Sequence, residues 1–141
     1  MLVFDNGDFR SNVEYAQAVT VNLMECVTSS KTPRQPLLPS IAAHDDIWYR
    51  LRSGASHGTQ ERYAAYMQAY LEGVVDQVYA GESRGQAQTP EEYLVYRRRS
   101  VGVRPMFPLI EYCYNLDLPG EVFSNRVICE LEDMAVDLVL V

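Results

Sequence analysis

Long apolar runs are absent from this chain of 141 residues, and so is any recognisable targeting segment. No stretch approaches the ~20 apolar residues that a membrane-spanning helix needs. The opening Met1-Leu2-Val3-Phe4 meets Asp5 at once, so it is too short for the apolar core of a secretory signal. We therefore expect a cytoplasmic protein without a membrane span.

Positive charge is also scarce, since 12 lysines and arginines face 19 acidic residues and the formal net charge is -7 at pH 7. Sequence-independent affinity for nucleic acid comes from cations that neutralise phosphates. This balance therefore argues against nucleic acid as a partner.

Cysteine is too rare for a disulfide framework. The count is three, which is odd, and the spacing is not that of a zinc site. Each cysteine stands in an apolar segment typical of a helix, which predicts reduced core residues in a cytosolic protein. The three are Cys26, Cys113 and Cys129.

No segment alternates apolar and polar residues with the period of two that a half-buried strand requires. Apolar residues recur instead at three- and four-residue spacings, and the composition of 48% hydrophobic and 22% charged residues is that of a globular domain. We predict one all-α domain of about six helices. They span about residues 11–28, 40–52, 59–82, 90–99, 106–116 and 124 onward, with breaks near Pro33, Gly54 and Gly102.

Three helix starts are marked by capping residues. Ser11 and Glu14 have the spacing of a capping box, and Thr59 is expected to cap the longest helix. Thr89 followed by Pro90 predicts a strong start for the next helix, because proline fits the first helical position.

Both ends of the chain lack the usual helix signals. The last helix runs into Asp137-Leu138-Val139-Leu140-Val141 without a glycine, a basic last turn or a proline. We interpret residues 1–141 as part of a larger helical bundle, truncated at both ends. The uncapped apolar ends predict self-association.

The most informative segment runs from Glu91 to Pro105. Three consecutive arginines, Arg97–Arg99, precede Gly102 and Pro105, so the helix must loosen and end there. Adjacent side chains on a helix point about 100° apart, so we expect at least one guanidinium to face the interior and to need an anion.

An arginine beside a helix break is well suited to hold a phosphate, because it joins a rigid fork of donors to exposed backbone groups. The alternative is that Arg97–Arg99 form a solvated turn. In that case they would pair with Glu91, Glu92 or other surface acids.

Six segments of this sequence resemble fungal class I terpene synthases, in particular the basidiomycete-type sesquiterpene cyclases. The most specific part is the block from Tyr93 to Pro105. The segments are Asp46 with Trp48, Thr59-Gln60-Glu61-Arg62-Tyr63, Glu92-Tyr93-Leu94-Val95-Tyr96-Arg97-Arg98, Gly102-Val103-Arg104-Pro105, Glu111-Tyr112 and Leu118-Pro119.

The resemblance implies an α-helical barrel in which magnesium ions and an arginine ionise an isoprenyl diphosphate, with farnesyl diphosphate favoured. A dry, aromatic pocket then guides the carbocation. By position in the motif, Arg98 takes the role of the diphosphate sensor. Gly102 is the residue whose carbonyl faces the cation, and Val101 links the two.

The resemblance places an aspartate-rich metal motif near the start, where Asp5 and Asp8 stand. They are three residues apart rather than the family's four, and Gly7 between them weakens a helix. Carboxylates three apart can still converge on magnesium. The alternative is a turn formed by Asn6 and Gly7.

Two other groups are expected to be structural. The resemblance assigns the acids of His44-Asp45-Asp46 to surface or capping positions rather than to metal binding. The tyrosines at positions 63, 66 and 70 lie at helical spacing and are expected to pack in the core.

In the resembling family a second metal motif, Asn-Asp-x-x-Ser-x-x-x-Glu, follows an Ala-x-Asp-Leu segment. Here Ala135-Val136-Asp137-Leu138 is followed by only three residues. We therefore expect residues 1–141 alone to make little or no terpene. A non-catalytic helical remnant or interaction module is the alternative to an enzyme.

Overall fold

The computed structural model describes residues 12–28, 35–82 and 89–140, and this part of the chain is 82% helical with no strand. The predicted all-α class is therefore confirmed. The helices are α1 Val13–Thr28, α2 Pro39–Gly54, α3 His57–Glu82, α4 Pro90–Ser100, α5 Met106–Cys113, α6 Gly120–Phe123 and α7 Arg126–Leu140. None of these described helices is long and apolar enough to cross a bilayer.

The helix starts differ in detail from those predicted. The side chain of Asn12 caps α1 by accepting a 2.9 Å hydrogen bond from the amide of Tyr15, while Ser11 lies outside the described residues. Thr59 does not cap α3, which begins two residues earlier. Instead the Ser56 hydroxyl accepts from the Thr59 amide, and the Thr59 hydroxyl donates to Glu111. The four-residue helix α6 was not predicted.

Helix α4 and the break after it agree with the sequence. The Thr89 hydroxyl accepts from the Glu92 amide, and the Glu92 carboxylate accepts in return from the Thr89 amide. The helix ends at Ser100, and Gly102 has a φ of +74°, which L side chains rarely adopt. Helix α5 begins directly after Pro105. The predicted break at Gly54 is also confirmed, whereas Pro33 lies outside the described residues.

The core surrounds α3, which packs against α1, α4 and α5 and contacts α2 through buried side chains. One cluster of buried residues joins α1, α2 and α3 and contains Val19, Leu23, Ile41 and Leu71. A second cluster contains Trp48, Leu51 and Tyr63, with the rings of Trp48 and Tyr63 stacked at 5.7 Å. The packing role predicted for Tyr63 follows from this stacking.

Two of the three cysteines are not core residues. Cys26 is half-buried, but Cys113 and Cys129 are exposed, and none of the three forms a disulfide. The core prediction is therefore wrong for Cys113 and Cys129. Cys113 ends α5, and the Cys129 thiol donates to the Phe123 carbonyl at the surface between α6 and α7.

Helices α3 and α4 lie very close together at Gly73. A Cβ added at Gly73 would lie 2.6 Å from the Cβ of Arg99 and 2.9 Å from its carbonyl carbon. Both atoms belong to the body of α4 and cannot rotate away. Gly73 is therefore required for the two helices to meet.

We expect Gly73→Ala to lower the free energy of unfolding by about 1–3 kcal/mol, because the added methyl forces the helices apart. The sign of this change in the free energy of unfolding is informative, because alanine in a helix interior is ordinarily up to ~1 kcal/mol more favourable than glycine. Urea denaturation followed by circular dichroism measures the change. Gly120→Ala is the matched control, because a Cβ there meets nothing within 4 Å. A Gly73→Ala protein as stable as the parent would contradict the assigned role.

Candidate functional site

The arginines Arg97–Arg99 point to three different neighbours. Arg97 donates to the amide oxygen of Gln77 at 3.4 Å. Arg99 donates to Asp76 at 2.8 Å and lies 3.5 Å from Glu72, both on α3. This divergence follows from the angular spacing of adjacent residues on a helix.

The expectation that one guanidinium faces the interior is wrong. The side chains of Arg98 and Arg99 are 53% and 47% exposed, and half-buried Arg97 contacts a neutral amide. The solvated alternative is confirmed for Arg98 and Arg99, which pair with surface acids. These acids lie on α7 and α3 and are not Glu91 or Glu92 at the start of α4.

Arg98 forms a two-pronged pair with Asp137 of α7. Its Nε lies 2.6 Å from Oδ1 and its Nη2 lies 2.8 Å from Oδ2. This parallel geometry is the one in which a guanidinium also holds a phosphate. The hydrogen bond from Arg98 lowers the pKa of Asp137 below its usual value and raises the pKa of Arg98 itself, so both groups stay charged.

The segment between Arg98 and Gly102 is fixed to α3. The Ser100 hydroxyl donates to Gln77 Oε1 at 2.6 Å, and Val101 is almost completely buried. A Cβ added at Gly102 would lie 3.2 Å from the ring of Tyr70. Position 102 therefore requires glycine for two reasons, its positive φ and the nearby ring.

A second polar network joins the same break to α7. Arg104 donates to Glu132 at 3.5 Å and also pairs with Asp133, while the Tyr66 hydroxyl donates to Glu132 at 3.0 Å. Burial, together with the negative charge of Glu132, raises the pKa of Tyr66 to about 12. The expectation that this tyrosine only packs is incomplete, because its hydroxyl connects α3 to α7.

Among the described residues, the most buried ion pair joins α3 to α5. Arg62 donates through Nε to Glu111 at 3.1 Å and also contacts the second carboxylate oxygen, and the Thr59 hydroxyl donates to Glu111 at 3.2 Å. The ring of Phe123 lies 3.8 Å below the guanidinium. Sequence reasoning missed this pair, although Arg62 and Glu111 both stand in the segments that carry the resemblance.

The expected metal ligands Asp5 and Asp8 lie outside the described residues, as does the alternative turn at residues 6–7. Within the described part, metal-ligating atoms converge elsewhere. Cys26 Sγ lies 3.6 Å from His44 Nδ1, which lies 3.7 Å from Asp45 Oδ1. Thiol and imidazole suit zinc better than magnesium, so this cluster does not fit a magnesium site.

Comparison with known proteins identifies the family. Residues 3–141 match the family described as terpene synthase family 2, C-terminal metal binding. The chain therefore belongs to this family of terpene synthases, which confirms the resemblance. The family's metal-binding description implies use of a divalent metal ion.

Known terpene synthases align with most of this chain but are much longer than it. It is 31% identical over 137 residues to a (+)-eremophilene synthase of Gibberella fujikuroi, covering 96% of this chain and 38% of that protein. It is 36% identical over 94 residues to sesquiterpene synthase 1 of Postia placenta, covering 67% of this chain and 28% of that protein. The chain thus spans 28% to 38% of the length of these two relatives.

Solved structures agree on the fold. A crystal structure of a mutant of SVS_A2, a protein from ancestral sequence reconstruction, superposes with a TM-score of 0.82 over 94% of this chain and 39% of that chain. The two are 23% identical in sequence. A second mutant of the same protein gives a TM-score of 0.79. The seven helices therefore have the arrangement of part of a larger all-α fold.

We expect Glu111→Ala to lower the free energy of unfolding by about 3–5 kcal/mol, because it leaves Arg62 buried without its anion. The Arg62 and Glu111 side chains are only 13% and 5% exposed. Glu130→Ala is the control, since its pair with Arg126 is exposed and is worth about 0.3–0.5 kcal/mol. Denaturant unfolding of the two variants measures the difference. Equal losses of unfolding free energy in the two variants would show that the buried pair is no more costly to break than the exposed one.

Proposed function

We propose that the protein containing this segment ionises an isoprenyl diphosphate with magnesium and cyclises it to a sesquiterpene, with farnesyl diphosphate as the substrate. Arg98 is the diphosphate sensor. The observation that carries the proposal is an exposed two-pronged guanidinium four residues before a helix break whose glycine has a positive φ. Membership of the terpene synthase family supports the same reaction class.

The three arginines differ in a way that favours Arg98 for this role. Arg99 has two carboxylate neighbours on α3, and Arg97 is half-buried against Gln77. Arg98 instead reaches across to α7, with both prongs of its guanidinium on one exposed carboxylate. Its donors therefore match a diphosphate oxygen pair in both spacing and access.

Gly102 and Val101 complete the proposed substrate site. Buried Val101 and the bond from Ser100 to Gln77 hold the segment rigidly against α3. A conformational change at Arg98 would then reach Gly102 through a short, anchored linker. The Gly102 carbonyl is the group proposed to face the substrate cation.

Magnesium supplies the positive charge that a departing diphosphate needs. Asp5 and Asp8 are the residues of this chain that would hold it, since carboxylate oxygens are the ligands that magnesium prefers. A cytoplasmic location belongs to the same proposal.

The first test compares three substitutions in the protein encoded by the full reading frame. Arg98→Lys should reduce kcat/KM for farnesyl diphosphate by the equivalent of roughly 2–4 kcal/mol, because a point-charge ammonium cannot replace two parallel hydrogen bonds that strengthen as charge develops. Arg97→Lys and Arg99→Lys are the matched controls and should have small effects. Equal effects at the three positions would make the assignment of Arg98 untenable.

The second test is product formation. The 141-residue chain with farnesyl diphosphate and magnesium should give little or no terpene, whereas the protein that also includes the downstream Asn-Asp-x-x-Ser-x-x-x-Glu segment should give a sesquiterpene. Gas chromatography–mass spectrometry of both reactions measures this. Robust turnover by the 141-residue chain would overturn the requirement for the second metal motif. If a stop codon follows Val141 directly, the non-catalytic remnant becomes the better proposal.

A further inference from the structure

We propose that Asp137 is an intramolecular competitor for the diphosphate, occupying the guanidinium of Arg98 until a diphosphate displaces it. The inference rests on the proposed role of Arg98 as the diphosphate sensor. It adds a second residue, on a different helix, that sets how readily the sensor engages its ligand.

The geometry of the pair carries the argument. The two carboxylate oxygens of Asp137 lie 2.6 and 2.8 Å from Nε and Nη2 of Arg98, so both prongs on this edge are occupied. Two oxygens of a phosphate that approached this edge would need the same two donors. Diphosphate and Asp137 therefore cannot hold this edge of Arg98 at the same time.

The exposure of the pair makes the exchange feasible. The Arg98 and Asp137 side chains are 53% and 43% exposed, so the pair is screened by water and contributes little to stability. By contrast, the Arg62–Glu111 pair is buried and supports the fold. Arg98 can therefore change partners at a modest cost, whereas Arg62 cannot.

The surrounding charges show what displacement would require. Asp133 lies one helical turn before Asp137 and adds negative potential at Arg98, but it is hydrogen-bonded to Arg104. Arg99 faces α3 and its own two acids. Asp137 is therefore the carboxylate that a diphosphate displaces when it binds the Nε–Nη2 edge of Arg98, and its negative charge also repels the incoming anion.

The position of Asp137 connects this competition to the metal chemistry of the proposed reaction. It lies in the Ala135–Leu138 segment of α7, directly before the place where the second metal motif is expected. When Asp137 is displaced from Arg98, α4 and α7 lose the ion pair that the structure shows between them. Binding of the diphosphate would thus be coupled to the helix that leads into that motif.

The test measures binding of inorganic pyrophosphate to the 141-residue chain by isothermal titration calorimetry at low ionic strength. Asp137→Asn keeps the shape of the side chain but removes the charge. It should tighten pyrophosphate binding by about two- to five-fold, the factor expected from losing one exposed ion pair. Asp76→Asn is the matched control, because it removes the equivalent carboxylate from Arg99 and should leave the affinity unchanged.

A double variant assigns the gain to Arg98. Relative to Arg98→Lys alone, Arg98→Lys together with Asp137→Asn should tighten binding less than Asp137→Asn does in the parent, because the competed guanidinium is gone and only the loss of a repelling charge remains. Circular dichroism melts of all variants establish that each is folded, and the exposure of the pair predicts melting temperatures close to that of the parent.

The outcomes separate this inference from the proposed function. If Arg98→Lys weakens pyrophosphate binding but Asp137→Asn leaves it unchanged, the competition is overturned and the sensor assignment stands. If Arg98→Lys has no effect in either background, both are overturned. If Asp76→Asn tightens binding as much as Asp137→Asn does, the gain reflects net charge alone and the competition is again overturned.

Discussion

The close approach of α3 and α4 at Gly73 is the constraint on which the rest of this structure depends. With no side chain at Gly73, the backbone of Arg99 lies directly against α3. This contact sets the rotation of α4 about its axis. Once that rotation is fixed, Arg97 and Arg99 face α3, and Arg98 is left to reach α7.

Two ion pairs with the same chemistry have opposite roles because of where they lie. The Arg62–Glu111 pair is buried, and the Thr59 hydroxyl and the Phe123 ring complete its surroundings. Such a pair is costly to break, so it holds α3 and α5 in place. The Arg98–Asp137 pair is exposed and can exchange its anion, which is the property that a sensor for a charged ligand needs.

Helix α7 exposes an apolar face in this structure. Its inward face buries Val136 and carries Glu132, which accepts from Tyr66, but apolar residues at helical spacing are exposed on its other side. The exposed residues are Val127, Leu131, Met134 and Leu138. The relatives are about three times longer than the matched segment, so they contain ample chain to cover such a face.

The fold class and most helix positions could be predicted from the sequence because they depend on local signals. The capping box at Thr89 and the break at Gly102 are each encoded within a few residues, and the structure confirms them. Helix α3 was predicted with the wrong cap, because Thr59 could serve locally as a cap or pair with Glu111, 52 positions away. The prediction that Cys113 and Cys129 are buried was wrong for a related reason, since an apolar segment does not show which of its faces is covered.

The candidate site also combines features set by neighbouring residues with features set by contacts between distant helices. By itself the sequence determined an all-α chain of the terpene synthase family, with an arginine run ending at a glycine break, since periodicity, caps and motif spacing are properties of neighbouring residues. Only the tertiary structure decided which arginine contacts which acid. The partners of Arg98, Arg99 and Arg104 come from helices 23 to 39 positions away, and no local pattern specifies such pairs. They arise from the angle at which α3, α4 and α7 pack, which the side chains of all three helices set together.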